Sequence, residues 1–264
     1  MNPETMPAIF FGHGSPMNAL ESNRYTQCWV DLGARWPQPK AILMVSAHWC
    51  TQGLALTAMP KPRTIHDFGG FPPALYAMQY AAPGDPKLAR EIAEALAPLP
   101  VVLDESWGFD HGTWSVLCHA YPKATVPIIQ LSLNYEIASV NMPQFHFELG
   151  QRLAYLRQQG VMICGSGNIV HNLRRMNPAS TGETWAHQFN QTMRETMLSG
   201  SFDRCVAYQE LGVDASLAVP TMEHFLPLLV VLGARLPNDQ LEIPIDGIEL
   251  GTISMMSVLL HCGL

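Results

Sequence analysis

Charge is scarce in this sequence. Of 264 residues only 14% are Asp, Glu, Lys or Arg, and they leave a formal net charge of −7. No block of Lys and Arg could neutralise a run of phosphates, which argues against a nucleic-acid partner. No basic amphipathic stretch supports a membrane-surface role, and no apolar run approaches the roughly 18 residues of a membrane span. The N-terminal residues lack the basic-then-apolar order of a secretory leader. There is no C-x-x-C either. Cys28, Cys50, Cys118, Cys164, Cys205 and Cys262 fall singly, several in apolar runs, which reads as reduced thiols in a cytoplasmic protein rather than a disulfide framework. Nucleotide-binding patterns are missing as well. "GHGSP" at 12–16 has neither the Lys of a phosphate loop nor the third Gly of a dinucleotide fingerprint. "CGSG" at 164–167 is not the G-x-S-x-G of a nucleophile elbow.

Apolar residues, by contrast, make up 48% of the chain, enough for a sizeable core. Short continuous apolar runs at 7–11, 41–47, 101–103, 126–133 and 161–167 suit strands covered on both faces. Between them, 85–99, 144–160 and 183–198 carry helical patterns, the first with an early Pro and the second closed by Gly. This alternation predicts an α/β sandwich with a central, mostly parallel or mixed sheet flanked by helices. No repeat, linker or low-complexity tract divides residues 1–264, so one domain is expected. Residues 60–84, rich in Pro, Gly and aromatics, read as a functional loop.

The placement of the 10 histidines carries the functional signal. His13, His48 and His171 each stand just beyond an apolar strand run, where ligands bind in open α/β sheets. Gly12 and Gly14 flank His13 and are expected to leave room there for a bound group. His224 falls at an apparent helix start after Pro220 and Thr221, while His66 and His111 lie in Gly- and aromatic-rich loops. His119, His146, His187 and His261 have no such setting and are read as structural or surface residues. A lone His at a strand end is ordinarily structural. Three at equivalent ends point to a shared centre, and imidazole nitrogens suit Zn(II) or Fe(II).

Six blocks in order carry a resemblance that spans nearly the whole chain: "GHGSPMNAL", "VSAHW", "TIHDFGGFP", "WGFDHGTW", "GSGNIVHNL" and "PTMEHFLPLL", followed by "IELGTISMMSV" near the C-terminus. The sequence resembles the 4,5-DOPA extradiol dioxygenases, of the class III, LigB-type ring-cleaving dioxygenases. The resemblance implies a catechol and O2 as substrates, L-DOPA opened to 4,5-seco-DOPA or a related reaction, and one non-heme divalent metal per chain. Fe(II) is then expected for activity, with Zn(II) suited to the same imidazoles. It implies His13 and His48 as metal ligands, with His224 or its neighbour Glu223 as the third. His171 takes the place of the family's acid/base and of a possible fourth ligand, and His111 that of a second proton donor or substrate partner. His66, Trp49, Phe68, Phe71 and Trp107 are candidate pocket walls, and Arg63, Arg174 and Arg175 the cations available to a DOPA carboxylate. Two other readings stay open: a zinc-dependent hydrolase, since a three-His site also activates water, and a non-catalytic metal- or ligand-binding protein on the same fold. The oligomeric state is left open.

Overall fold

Eight strands build one sheet: β1 (Ala8–Gly12), β2 (Ala41–Thr51), β3 (Leu54–Thr57), β4 (Val101–Asp104), β5 (Ile128–Asn134), β6 (Val161–Gly167), β7 (Gln240–Ile245) and β8 (Ser257–His261). Their spatial order is β4-β3-β5-β2-β6-β1-β8-β7. The computed structural model that shows this describes residues 5–136 and 141–263. At the centre, β5, β2, β6 and β1 run parallel. Antiparallel strands flank them, β3 beside β5 and β8 beside β1. The sheet is therefore mixed with a parallel heart, within the class that the sequence predicts.

Both faces are covered, which explains why the central strands read as unbroken apolar runs. Every residue of β1, β5 and β6 is buried. The side chains nonetheless part by the strand's period of two. Phe10, Leu43, Val45 and Ile163 enter one core with α2 (Pro86–Ala95), α4 (Met142–Leu153), α5 (Thr184–Leu198) and α6 (Leu226–Gly233). Ile9, Phe11, Ile42, Met44 and Met162 enter the other, with Trp29 of α1 (Arg24–Ala34) and Trp114 of α3 (His111–Ala120). Helix starts follow their caps. Asn23 forms a capping box with Thr26 ahead of α1, and Asp85 accepts from the amides of Lys87 and Leu88 ahead of α2, where Pro86 is pre-set for the first turn. α6 is apolar all round and entirely buried, as such a helix must be.

Several elements depart from the sequence reading. β2 continues to Thr51 because its pairing with β5 slips between Val45 and Cys50, a bulge that the apolar pattern does not announce. The helical run at 144–160 breaks into α4 and a short helix Tyr155–Gln158. The short apolar runs do not mark β3, β7 or β8. Residues 60–84 hold a two-residue strand, Arg63–Thr64, and a short helix, Pro73–Tyr76. Among the described residues no helix is long and apolar enough to cross a membrane, and all six cysteines are free thiols.

Candidate active site

The C-terminal ends of β1, β2 and β6 meet at one edge of the sheet, and three histidines leave from there. His13 directly follows β1, its amide donating to the Gly167 carbonyl at 3.1 Å. Its Nδ1 lies 2.9 Å from Ser166 Oγ, and the Ser166 hydroxyl donates to the Gly112 carbonyl at 2.5 Å. With the serine proton committed, Nδ1 of His13 must be the donor, which leaves Nε2 as the lone-pair nitrogen. His48 rides on the bulge of β2, so it lies within that strand and not beyond it. Its Nε2 is 3.3 Å from His13 Nε2, and its Nδ1 is 3.5 Å from Asp67 Oδ2.

His224 comes from the opposite face, in the turn before α6 and not inside the helix. Its carbonyl accepts the Asn168 amide at 2.9 Å, and its Nδ1 faces Glu223 Oε1 at 3.4 Å. Gly167 makes this approach possible: a Cβ there would stand 2.1 Å from the His224 carbonyl oxygen. Gly12 has a different task from the one expected. A Cβ on it would meet the Met255 carbonyl carbon at 2.6 Å, so it makes room for the chain entering β8 and not for a bound group. Gly14, at φ 63°, does line the cavity.

The ligand atoms of His13, His48 and His224 lie within 4.8 Å of one another. Glu223 joins a second such group with His171 and His224, but not the one that contains His13 and His48. His171 stacks on His224, with ring centroids 3.5 Å apart and planes 8° apart, and its amide is fixed by the Ala218 carbonyl at 2.8 Å. His111 opens α3, with Asp110 as its cap. Asp67 grips it twice, at Nδ1 (3.0 Å) and at the amide (2.9 Å), and its ring lies 3.9 Å from that of His48. Five imidazoles thus surround one cavity of about 440 Å3.

Residues 8–260 match the family described as the catalytic LigB subunit of aromatic ring-opening dioxygenase. The chain belongs to the LigB family. It is an extradiol ring-opening dioxygenase. It is 49% identical to the Escherichia coli protein named 4,5-DOPA dioxygenase extradiol, over 98% of this chain and 96% of that one. A Beta vulgaris protein of the same name is 36% identical over 89% of each chain. The crystal structure of an uncharacterized protein from Escherichia coli K12 superposes with a TM-score of 0.83 at 43% identity, covering 96% of this chain and 99% of that one.

In this LigB-family site the electrostatics favour neutral imidazoles. Burial pushes His13 and His224 well below the usual histidine range, and mutual repulsion among the rings adds to it. Burial likewise pushes His48 down to about 3 and His171 to about 4. Their lone pairs are therefore available at neutral pH, the form in which imidazole binds a metal. Asp67 behaves oppositely. Burial would raise its pKa, but the bonds from His111 outweigh this and hold it below the ordinary carboxylate range. Beneath the rings, burial raises Asp110, which accepts from Ser46 Oγ at 2.6 Å, from the Thr113 amide at 3.2 Å and from Gln130 Nε2.

Apolar side chains complete the cavity, with Phe68 and Phe71 joined by Leu173, Met176, Leu250 and Ile253. The other expected walls stand back from it. Trp49 and Trp107 stack on each other, centroids 5.6 Å apart and planes 4° apart, and neither lines the cavity. His66 bonds the Met78 carbonyl at 3.0 Å and packs behind Phe68. Arg63, Arg174 and Arg175 are exposed and do not line it. His119, His146, His187 and His261 bond Asn18 O, Met142 O, Thr181 O and Glu242 Oε1 respectively, away from the centre. The sequence reading missed Asp67, Asp110 and Ser166. All three had one signal, since each lies inside a resembling block: Asp67 in "TIHDFGGFP", Asp110 in "WGFDHGTW" and Ser166 in "GSGNIVHNL".

Proposed function

We propose that this chain opens a catechol ring with O2, L-DOPA to 4,5-seco-DOPA or a close relative, at one divalent metal held by His13, His48 and His224. The observation that carries the reading is the convergence of these imidazoles from three separate elements, each with its outer nitrogen facing an oxygen, of Ser166, Asp67 and Glu223. Such outer partners orient metal-binding histidines and raise their basicity. When bound there, the metal would let electron density pass from the catechol to O2, for which Fe(II) would be the working ion; Zn(II) fits the same donors.

The chain's own residues supply the rest. His171, uncharged at neutral pH, takes a catechol hydroxyl proton and returns it later in the cycle. His111 keeps Nδ1–H on Asp67, so its Nε2 is the nitrogen that meets substrate. Phe68, Phe71, Leu250 and Ile253 cover the ring and exclude water. The whole chain acts as one catalytic domain, and its six free thiols fit a reducing, cytoplasmic setting.

The test is O2 uptake by anaerobically Fe(II)-loaded protein given L-DOPA, beside Zn(II)-loaded protein and His171→Ala. Uptake with a yellow ring-opened product, absent with Zn(II) and reduced about 100-fold or more in the variant, supports the reading. No uptake with L-DOPA or simpler catechols, at full metal content, overturns it.

A further inference from the structure

The cavity of the five imidazoles adjoins a second cavity of about 480 Å3, and the two share Ser15, Leu250 and Ile253 as a common wall. Their chemistry differs. Among the described residues no Lys or Arg lines the first, and its one lining carboxylate, Asp67, is engaged by His48 and His111. The second is lined by a guanidinium, Arg24, and two carboxylates, Glu21 and Glu249. Arg24 lies over the Tyr25 ring, 4.6 Å from its centroid, and its Nη2 donates to Tyr25 Oη at 2.8 Å and to the Asp246 carbonyl at 2.9 Å. Tyr25 Oη donates in turn to Glu249 Oε1 at 2.7 Å. These contacts fix the guanidinium while its Nε and Nη1 have no hydrogen-bond partner among the described residues.

The wall itself is unusual. Leu250 joins the paired segments Ile248–Glu249 and Ile253–Ser254, and its φ is 52°. A leucine is rarely held in the left-handed region, and such backbone strain collects at functional sites.

We infer that the second cavity receives the amino-acid end of the substrate, with the α-carboxylate on the open donors of Arg24 and the α-ammonium on Glu249. The ring then lies among the imidazoles. The inference rests on the catechol reading above. A catechol amino acid carries one charge of each sign on its tail, and of these two adjoining cavities the second, among the described residues, offers a partner for both.

The experiment uses Arg24→Gln and Arg24→Lys with L-DOPA, dopamine, which lacks the carboxylate, and 4-methylcatechol, which lacks the charged tail. Turnover is followed with the Fe(II)-loaded protein, and binding by calorimetry with the Zn(II)-loaded protein. For Arg24→Gln the ratio of kcat/KM for L-DOPA to that for 4-methylcatechol falls about tenfold, through KM, as expected for one charged hydrogen-bonding group at an exposed site. The calorimetric affinities fall in the same ratio, dopamine shows no such fall, and Arg24→Lys recovers part of it. A wild-type ratio in the Gln variant, or an equal fall for dopamine, overturns the subsite while leaving the catechol reading standing. A wild-type protein that neither binds nor turns over L-DOPA, dopamine or 4-methylcatechol overturns the catechol reading and the subsite with it.

Discussion

Replacing Ser166 by Ala removes a single oxygen and tests how the site holds His13. Ser166 is fully buried at the end of β6, accepts the Nδ1–H of His13 at 2.9 Å and donates to the Gly112 carbonyl at 2.5 Å. The alanine fits the space but leaves the Nδ1–H of His13 without its acceptor, while the Gly112 carbonyl, in the first turn of α3, loses only its bond from the serine. Two separate costs follow. The metal-free protein loses about 1–3 kcal/mol of stability, the penalty for buried polar groups left unpaired. Metal affinity falls about 10–100-fold, the usual effect of deleting an outer partner of a histidine ligand, which is about 1.4–2.7 kcal/mol. Urea unfolding of the metal-free protein reads the first, and competition for Zn(II) or Co(II) against a chelator reads the second. Ser115→Ala is the control. Its hydroxyl is also buried, on α3, but has no hydrogen-bond partner among the described residues, so its removal leaves metal affinity unchanged and stability within about 0.5 kcal/mol. Wild-type metal affinity in Ser166→Ala would refute the claim that Ser166 sets the tautomer and orientation of His13.

Gly167→Ala puts a Cβ 2.1 Å from the His224 carbonyl oxygen, and a backbone atom cannot step aside as a side-chain tip can. It is expected to cost about 1–3 kcal/mol and to lower metal content below one per chain, read by a thermal melt and metal analysis; full occupancy with an unshifted melt would contradict this. A third prediction concerns acid stability. Arg157 is fully buried, and its guanidinium bonds Asp239 twice, at 2.5 and 2.9 Å, and the carbonyls of Met6, Ala234 and Leu260. Burial would raise the Asp239 pKa, but Arg157 outweighs it and holds it below the ordinary value. A depressed carboxylate contributes stability above its unfolded pKa, about 3.9, and loses it as pH falls through the folded value. Asp239→Asn should therefore be less stable than wild type by about 3–5 kcal/mol at pH 7, with the gap closing below about pH 4 in urea unfolding. A gap that stays constant down to pH 3 would show that the pair does not act this way.

What could be read ahead of the structure followed a physical rule. β6 spans residues 161–167 as predicted, because a doubly covered strand bounded by Gly160 and Asn168 shows in composition alone. β7 did not show: its residues are exposed to half-buried and include Pro244, so neither continuous apolarity nor clean alternation marks it. The histidines were legible as residues near strand ends, but their geometry was not. That His48 sits on a bulge depends on a pairing slip with β5, some 80 positions away. Ser166 meets His13 across a separation of 153 positions, and a serine in a strand carries no mark of the bond it will make. Asp110 reads locally as a helix cap, and its contacts with Ser46 and Gln130 appear only once three elements pack.

The adjacency of Glu223 and His224 is where the fold says most beyond the pattern "EH". His224 turns its ring toward His13 and His48, while the Glu223 carboxylate stays on the outer side, held by Tyr135 Oη at 3.0 Å and Thr221 Oγ1 at 2.7 Å. Asp67 stands in the same relation to His48 and His111. The negative charge of the centre is thus displaced outward by one imidazole. This matters for an anionic catechol. A carboxylate about 4 Å from a catecholate oxygen would repel it by about 4 kcal/mol at an effective dielectric near 20, and at about 7 Å by little more than half of that. The outward carboxylates still polarise the imidazoles in front of them, so the ligands keep their basicity while the groups nearest the catechol oxygens are neutral rings. An inner carboxylate would also strengthen cation binding, but at the position where the substrate's own negative oxygens must come.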